Sequence, residues 1–335
     1  MSVKNAALAA VPFALALAGC ATAPGLTLEA SEPSIIIQRP ALFPETVAYD
    51  GESDGFLLSS LREGAVFRLD RSGKAAVAVR DPRLCSVLGI AIDEERGRIW
   101  AVNSNLGASA KSCISGPKQL AGVGIYDLST GAPIDYIDLA PLVAGPHLLN
   151  GIALDASGNA YVTDSFSPVI YRIDEQSRAS VFLRDERFAG EGINLNGVVV
   201  HPDGYLLVVK KNDGKLFRVP LADPTRFSTV AVDERFIGGD GVTLIGKSEL
   251  VLIANQVPGK AANAAFALSS ADGWRSAKLG AVRQLGDVYP TTAVLAGNSI
   301  YVLSARLNVL IQGGAKADAL SKLQAALRPI GSVAH

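Results

Sequence analysis

The chain alternates apolar and polar residues over short runs, and one phrase recurs along it. Its clearest copy starts at Leu149-Asn150-Gly151, alternates to residue 154, turns at 156–159 and enters a second run at 160–163. Alternation with a period of two predicts β-strands that bury one face. The phrase recurs, with changes, at Glu45, Leu88-Gly89, Asn196-Gly197, Asp240-Gly241 and near Thr292.

Each copy opens a group of four short predicted strands. The groups are 46–49, 55–59, 65–69 and 75–79; 89–92, 99–102, 122–126 and 133–137; 151–154, 160–163, 169–173 and 179–183; 197–200, 205–209, 215–219 and 229–232; and 241–244, 250–253, 264–268 and 281–284. A sixth group, 292–295, 299–303 and 308–311, lacks a fourth strand. The run 34–38 near the other end of the chain is left without a partner.

These groups predict an all-β fold, a six-bladed β-propeller over residues 34–314 whose last blade is closed by the N-terminal strand. The copies start 43 to 62 residues apart, with an insertion at 103–120 in the longest gap, and a four-stranded blade takes about 40 to 50 residues. The alternative, a two-domain β-sandwich, explains neither the repeated group nor the unpaired run at each end. Leucines at 320, 323 and 327 before Pro329 predict a short helix over 317–327, within a C-terminal tail of 315–335.

One polar position repeats at the start of the groups. The first strand of each blade lines the central channel, so these positions form a ring of Glu45, Leu88, Asn150, Asn196, Asp240 and Thr292. Two carboxylates and two amide oxygens are ligands that a hard divalent cation such as Ca²⁺ prefers, and the ion would relieve their repulsion. Asn-Gly and Asp-Gly are also common tight-turn dipeptides, so a turn is the alternative for each of them.

At these residues the chain resembles the gluconolactonase and senescence-marker-protein (regucalcin) family, and more distantly diisopropyl fluorophosphatase and the paraoxonases. The resemblance rests on Phe43-Pro44-Glu45, Leu149-Asn150-Gly151, Leu195-Asn196-Gly197 and Gly239-Asp240-Gly241. It implies a six-bladed propeller with a central Ca²⁺, or another divalent cation such as Zn²⁺, Mn²⁺ or Mg²⁺. The implied metal ligands are Glu45, Asn150, Asn196 and Asp240.

Two departures from the family change the expected substrate. Sugar-lactone hydrolases of the family tend to carry an Arg where this chain has Leu148, and paraoxonases carry a His where it has Leu88. Both changes predict a less polar pocket. The first hypothesis is a metal-dependent hydrolase of a lactone or related ester, with Asp240 as general base or nucleophile. The second is a non-catalytic exported propeller with a structural metal that binds a ligand or partner.

Further polar residues follow the predicted second strands and are expected on the same face as the ring. They are candidates for substrate binding. The alternative for each of them is a loop residue that is exposed to solvent. His147 and Leu148 lie in the loop that enters the strand of Asn150, whereas His201 is expected to be exposed on the opposite face. The candidates after second strands are Asn103, Asp164, Lys210, Lys211 and Asn255.

The first twenty residues resemble a bacterial lipoprotein signal. Lys4 precedes an apolar stretch at 6–16, and Leu17-Ala18-Gly19-Cys20 follows. This pattern predicts cleavage before a lipidated Cys20, a tether over 21–33 and a periplasmic, lipid-anchored protein of the cell envelope. An ordinary signal peptide or a buried helix is the alternative.

Export changes the reading of Cys85 and Cys113, because paired cysteines in an oxidising compartment usually form a disulfide. A catalytic thiol is the alternative, but no companion His motif accompanies either cysteine. The 31 Lys and Arg residues nearly balance the 32 Asp and Glu residues, so no nucleic-acid partner is expected. Membrane contact is expected only through the lipidated N-terminus, and we expect a monomer that binds a small lactone or ester.

Overall fold

The computed structural model describes residues 26–29, 32–113, 115–116, 118–255, 263–313 and 324–333. Within these residues, 24 strands form six antiparallel four-stranded sheets. The innermost strand of each sheet packs against the innermost strands of the two neighbouring sheets, which closes the ring. The fold is therefore a six-bladed β-propeller, as predicted.

The blades follow the repeated groups closely. Their strands are β2 (Val47–Asp50), β3 (Gly55–Ser60), β4 (Ala65–Leu69) and β5 (Ala75–Arg80); β6 (Ser86–Asp93), β7 (Arg98–Ser104), β8 (Ala121–Asp127) and β9 (Pro133–Asp138); β10 (Leu149–Leu154), β11 (Ala160–Asp164), β12 (Val169–Ile173) and β13 (Ala179–Arg184); β14 (Leu195–His201), β15 (Tyr205–Lys210), β16 (Lys215–Pro220) and β17 (Ser228–Thr229); β18 (Gly239–Leu244), β19 (Glu249–Ala254), β20 (Ala264–Ser269) and β21 (Lys278–Gln284). The first two or three strands of each blade are mostly buried and the outermost strand is exposed, because apolar side chains pack between neighbouring sheets.

The sixth blade is completed by the N-terminal strand, as predicted. It contains β22 (Pro290–Ala296), β23 (Ser299–Ser304) and β24 (Ala326–Ser332), with β1 (Ile35–Ile36) outermost. Ile35 pairs with Leu327, and Ile36 pairs with Ala326. The last blade thus contains strands from both ends of the chain, and this closes the ring of blades.

The third strand of this blade differs from the prediction. Residues 308–311 lie in a short helix, α1 (Leu307–Gly313), where Leu307 and Leu310 are three residues apart and both are buried. The third strand is β24 instead, and it includes the end of the helix predicted over 317–327; residues 314–323 lie outside the described part of the chain. Leu327 is buried between β23 and β1, and Pro329 is tolerated because the pairing shifts beside it.

The predicted tether also needs correction. Within 21–33, Thr27 forms a bridge with Ser332, and Leu28 is buried in a core cluster of the last two blades. An apolar side chain gains free energy by packing on the propeller, so this part of the segment adheres to the body. Cys20 and the predicted signal lie outside the described residues. No helix in the described ranges is long and apolar enough to cross a membrane.

Candidate functional site at the channel axis

The repeated polar position lies in a β-bulge of the innermost strand. In β10, Leu149 pairs with Asp164 and Ile152 with Val162, so Asn150 and Gly151 together face the single residue Thr163. The innermost strands β6, β14, β18 and β22 shift register at the equivalent place. Such bulges redirect side chains and are common near active sites. The Asn-Gly and Asp-Gly pairs are therefore strand residues, and the tight-turn alternative is wrong.

The glycine after the polar residue is explained by the neighbouring blade. A Cβ on Gly151 would lie 2.6 Å from the backbone oxygen of Asn196, and a Cβ on Gly197 would lie 2.4 Å from that of Asp240. Only glycine lets the backbones of adjacent blades approach so closely. The same contact joins Gly89 to Asn150 and Gly241 to Thr291. These contacts place the polar positions of successive blades side by side around the channel.

The sixth member of the ring is Thr291, one residue before the predicted Thr292. The bulge of β22 contains both threonines, between Pro290 and Ala293, and it is the carbonyl of Thr291 that faces Gly241. The Thr291 hydroxyl is buried and has no hydrogen-bond partner in the described chain. Thr292 instead accepts a hydrogen bond from the backbone of Val47 at 3.3 Å. The missing glycine in this repeat explains why the sequence misplaces the register.

A buried ion pair lies at the ring. Nζ of Lys211 is 3.0 Å from Oδ2 of Asp240, and it also donates to Oδ1 of Asn255 at 2.5 Å and to the Gly238 carbonyl at 3.4 Å. The amide of Asn255 donates to Asp240 and to the Pro290 carbonyl. Lys211 is 7% exposed and Asp240 is 4% exposed. Charged groups so deeply buried are stable only when paired and hydrogen-bonded, and this cluster meets both conditions.

Glu45 faces the same charges from the first blade. Burial, and then the carboxylate of Asp240, raise the pKa of Glu45 well above its usual value, while Lys211 acts in the opposite direction. Burial and the same two carboxylates raise the pKa of the Tyr289 hydroxyl. Glu45, Asp240, Lys211 and Tyr289 therefore share one electrostatic environment. Thr46 donates a hydrogen bond to Oε2 of Glu45 at 3.3 Å.

Several acceptors of the ring have no donor within the described residues. Nδ2 of Asn150 donates to Ser165 at 3.1 Å, but Oδ1 of Asn150 receives no hydrogen bond. The same is true of Oε1 of Glu45 and of the whole Asn196 side chain. Buried polar groups normally find partners, and those that lack one in the protein are available to water or a ligand. The ring thus offers unpaired oxygens beside a fixed positive charge.

The predicted metal site includes one partner of this ion pair. Glu45, Asn150, Asn196 and Asp240 occupy equivalent positions, and their oxygens are of the kind that Ca²⁺ prefers. The ammonium of Lys211, however, already pairs with Asp240, and a second cation there would be repelled by roughly 4 kcal/mol per unit charge at about 4 Å. Within the described ranges no three His, Cys, Asp or Glu side chains form a group that could hold a metal, so the predicted site would depend on its two amides as well. A divalent ion therefore does not fit beside Lys211 as the side chains stand.

Three predicted substrate-binding residues serve the fold instead. Asn103 is fully buried, accepts from the backbone of Cys85 at 2.7 Å and donates to the Tyr136 hydroxyl at 2.9 Å. Nζ of Lys210 donates to the carbonyls of Arg187 at 3.1 Å and Ala189 at 2.6 Å. Asp164 caps its loop by accepting from Leu148, Phe166 and Ser167. These contacts give the three side chains structural roles outside the central cluster.

His147 and Leu148 also form contacts within the fold. Nδ1 of His147 is 2.8 Å from Oδ2 of Asp164, and this hydrogen bond raises the pKa of the buried imidazole. Leu148 packs with Leu88 in the core cluster of the first and last blades. His201, expected to be exposed, is buried because its ring stacks on Tyr205 and bonds to the Lys247 carbonyl. Of the seven candidates for substrate binding, Lys211 and Asn255 join the central cluster.

The strand register explains which candidates reach the axis. Leu149 pairs with Asp164 and Leu195 with Lys210, so Asp164 and Lys210 are equivalent. In each blade the residue after the second-strand member of this pair donates its backbone N–H to the carbonyl of the residue before the first-strand member. The bonds run from Ser165 to Leu148, from Lys211 to Asn194 and from Asn255 to Gly238. It is this next residue whose side chain contacts the ring. The sequence includes Lys211 among the candidates but gives it no role distinct from Lys210, and it misses Tyr289.

The ring borders an apolar region on one side and a cavity on the other. Partly exposed apolar residues pack against the core cluster that contains Leu88 and Leu148; among them are Leu106, Ala108, Phe166, Ile193, Tyr289 and Val309. A cavity of about 360 Å³ occupies the channel and is lined by the residues that follow the ring, including Thr46, Gly151, Gly197 and Thr292. This volume is in the range of small-molecule sites.

The predicted disulfide is present. Cys85 is bonded to Cys113, with their Cα atoms 5.3 Å apart. The insertion that carries Cys113 also bonds to the first blade, since the Ala110 N–H donates to the Arg62 carbonyl at 2.8 Å. Lys111 donates to the Leu84 carbonyl at 2.6 Å. The insertion is therefore held against blades one and two, and the thiol alternative for these cysteines is wrong.

Comparison with known proteins identifies the fold. No family model matches the chain, and no curated protein matches its sequence. Among solved structures, the major allergen Mala s 1 of Malassezia sympodialis aligns with a TM-score of 0.71 and 18% identity, over 90% of this chain and 96% of that one. Regucalcin of Agrobacterium tumefaciens, described as a calcium-binding protein, aligns with a TM-score of 0.60 and 16% identity, over 92% of this chain and 97% of that one.

A putative gluconolactonase aligns with a TM-score of 0.60 and 13% identity, over 92% of this chain and 96% of that one. The structural neighbours therefore include the two proteins for which the predicted family is named. At such low identities the likeness establishes a shared propeller fold, while the chemistry must be argued from the side chains of this chain.

Proposed function

We propose that the axial cluster binds a small lactone or related ester and hydrolyses it. The observation that carries the proposal is the buried Lys211–Asp240 ion pair, which lies beside Glu45 and the unpaired oxygens of the ring. Burial of charge is unfavourable for stability alone and is common at functional sites. The lactonase-like structural neighbours agree with this choice of reaction.

The chemistry requires a base, a positive charge and a place for the substrate. Asp240 is the general base: it accepts a proton from water while the water oxygen forms a bond to the carbonyl carbon. The positive charge beside Asp240 stabilises the negative charge that develops on the carbonyl oxygen. The ring C–O bond then breaks, the departing oxygen takes back the proton, and the product is the hydroxy acid. Asn150 and Asn196 orient the substrate through their amides.

A non-catalytic binding protein is the second candidate. It is favoured by the burial of the ring, since Glu45, Asn150, Asn196 and Asp240 are each between 4% and 7% exposed. A site so enclosed admits a ligand only when the surrounding loops move or when the ligand enters through the channel. In this second case the cluster binds the same class of small molecule without turnover.

Hydrolysis of a panel of aliphatic and sugar lactones by the purified protein tests the proposal. Asp240→Asn keeps the size of the side chain and removes the base, so turnover should fall by at least ~100-fold. Asp50→Asn is the matched control: Asp50 is 2% exposed and forms an ion pair with Arg68 at 2.6 Å, at the other end of β2. Equal turnover by wild type and Asp240→Asn would remove Asp240 from the mechanism, and binding without turnover on every lactone would favour the second candidate.

We also propose where the protein acts. The signal-like first twenty residues and the disulfide support export to the periplasm and attachment to a membrane through lipid on Cys20. The propeller then faces small molecules of the cell envelope as a monomer.

A further inference from the structure

We propose that Lys211 stands in for the divalent cation of the site, so that the cluster works without a metal. The inference rests on the proposed function only where turnover is concerned. The position of the ammonium can be tested by metal binding independently of any reaction.

The ammonium is bound to Asp240, one of the four predicted metal ligands. Its three N–H groups have three acceptors, Asp240, Asn255 and the Gly238 carbonyl. The backbone of Lys211 is held as well, because its N–H donates to Asn194 at 2.8 Å and its carbonyl accepts from Gly238 at 2.9 Å. A divalent ion that bound Asp240 would have to displace the ammonium and break these side-chain bonds.

The formal charges agree with this reading. Glu45 and Asp240 are acidic, and Lys211 supplies one positive charge, so the ionised cluster carries one net negative charge. A divalent ion added to the cluster would change its net charge from negative to positive. The ion and the ammonium would then lie on either side of Asp240 and repel each other. Without the ion, the fixed charge of Lys211 can stabilise a developing oxyanion by itself.

Lys210 shows that the position, rather than the presence of a lysine, is what matters. It is adjacent in sequence and 4% exposed, yet its ammonium bonds to Arg187, Ala189 and Asp213 away from the ring. Lys210→Gln is therefore a matched control for Lys211→Gln, with the same chemical change at an equally buried place.

The experiment measures Ca²⁺ binding by calorimetry and thermal unfolding in wild type, Lys211→Gln and Lys210→Gln. Wild type and Lys210→Gln should take up no stoichiometric Ca²⁺, and chelator should leave their Tm and any lactone turnover unchanged. Lys211→Gln exposes the oxygens of the ring and should bind one Ca²⁺, with a rise in Tm of about 4 °C at a hundredfold excess over Kd. Adding Asp240→Asn to Lys211→Gln should abolish that binding.

Two results would overturn the inference. One is stoichiometric Ca²⁺ uptake by wild type that is lost in Asp240→Asn, and this arm decides the question even when Lys211→Gln fails to fold. The other is a folded Lys211→Gln protein that binds no Ca²⁺. Absence of lactone turnover in all variants would reject the proposed reaction while leaving the metal-binding result intact, so the two failures are distinguishable.

Discussion

Lys211 and Asp240 come from adjacent blades, and their charged groups meet 3.0 Å apart in a largely buried cluster. Removing one partner of a buried ion pair leaves an uncompensated charge, which typically costs about 3–5 kcal/mol. Lys211→Met should therefore lower the free energy of unfolding by that amount, measured by urea denaturation.

The double variant Lys211→Met/Asp240→Asn checks the cause of that loss. Because the second change removes the unpaired charge, the double variant should be more stable than Lys211→Met, with a coupling energy above ~1 kcal/mol. Additive effects would mean that the two side chains do not interact in solution. Lys210→Met combined with Asp240→Asn is the control, and its effects should add.

A second prediction concerns the contact between Gly197 and the carbonyl of Asp240. Gly197→Ala places a methyl group 2.4 Å from this oxygen, so the two blades must separate. Such overpacking should cost roughly 1–3 kcal/mol and displace Asp240 from Lys211. Gly246→Ala, at an exposed site with nothing within 4 Å, should change stability by less than ~0.5 kcal/mol. Similar stabilities for the two variants would contradict the packing argument.

The disulfide provides a third prediction. Cys85 and Cys113 are 28 residues apart, and closing a loop of this length is worth about 3–4 kcal/mol on the chain-entropy model. Cys85→Ser/Cys113→Ser should lower the urea midpoint accordingly, and reductant should move wild type to the same midpoint. Thiol titration of exported wild type should find neither of these two cysteines free; two free thiols would overturn the bond in solution.

The His147–Asp164 pair predicts a pH dependence of stability. The hydrogen bond to Asp164 raises the pKa of His147 in the folded protein, whereas the unfolded chain has the usual value of about 6.5. Folding therefore favours the protonated imidazole, so its contribution is complete below about pH 6.5 and is lost as the pH rises through the folded pKa.

The stability difference between wild type and His147→Gln should accordingly shrink as the pH is raised from about 6 to 9. An NMR titration of the His147 ring in the folded protein supplies the direct measurement. A midpoint at or below about 6.5 would show that Asp164 does not hold the charged imidazole.

The last prediction concerns the N-terminus. Cys20→Ser removes the thiol that lipid would modify, so the protein should move from the membrane fraction to the soluble periplasmic fraction when expressed in a bacterium. Ser2→Ala, in the same leader and away from the cleavage region, is the control. Membrane attachment that survives Cys20→Ser would reject the lipid anchor.

The sequence by itself determined the six blades, the closure by the N-terminal strand, the ring positions Glu45, Asn150, Asn196 and Asp240, and the Cys85–Cys113 pair. The blades and the ring positions follow from repetition, since a period-two pattern and a repeated polar residue are visible without knowing which strands touch. The cysteine pair follows from the predicted export instead. The sequence could not assign residues 326–332 to a strand. Leu327 has helical spacing with Leu320 and Leu323, which favours a helix. Pairing with a neighbouring strand makes the segment a strand instead.

Only the tertiary structure decided which polar side chains reach the axis. Successive side chains of a strand point to opposite faces, so a register error of one residue exchanges Lys210 for Lys211, Asp164 for Ser165 and Thr292 for Thr291. The register depends on bulges and on close contacts between blades, which join residues far apart in the chain. The meeting of Lys211 with Asp240 is such a contact, and no local pattern in the sequence determines it.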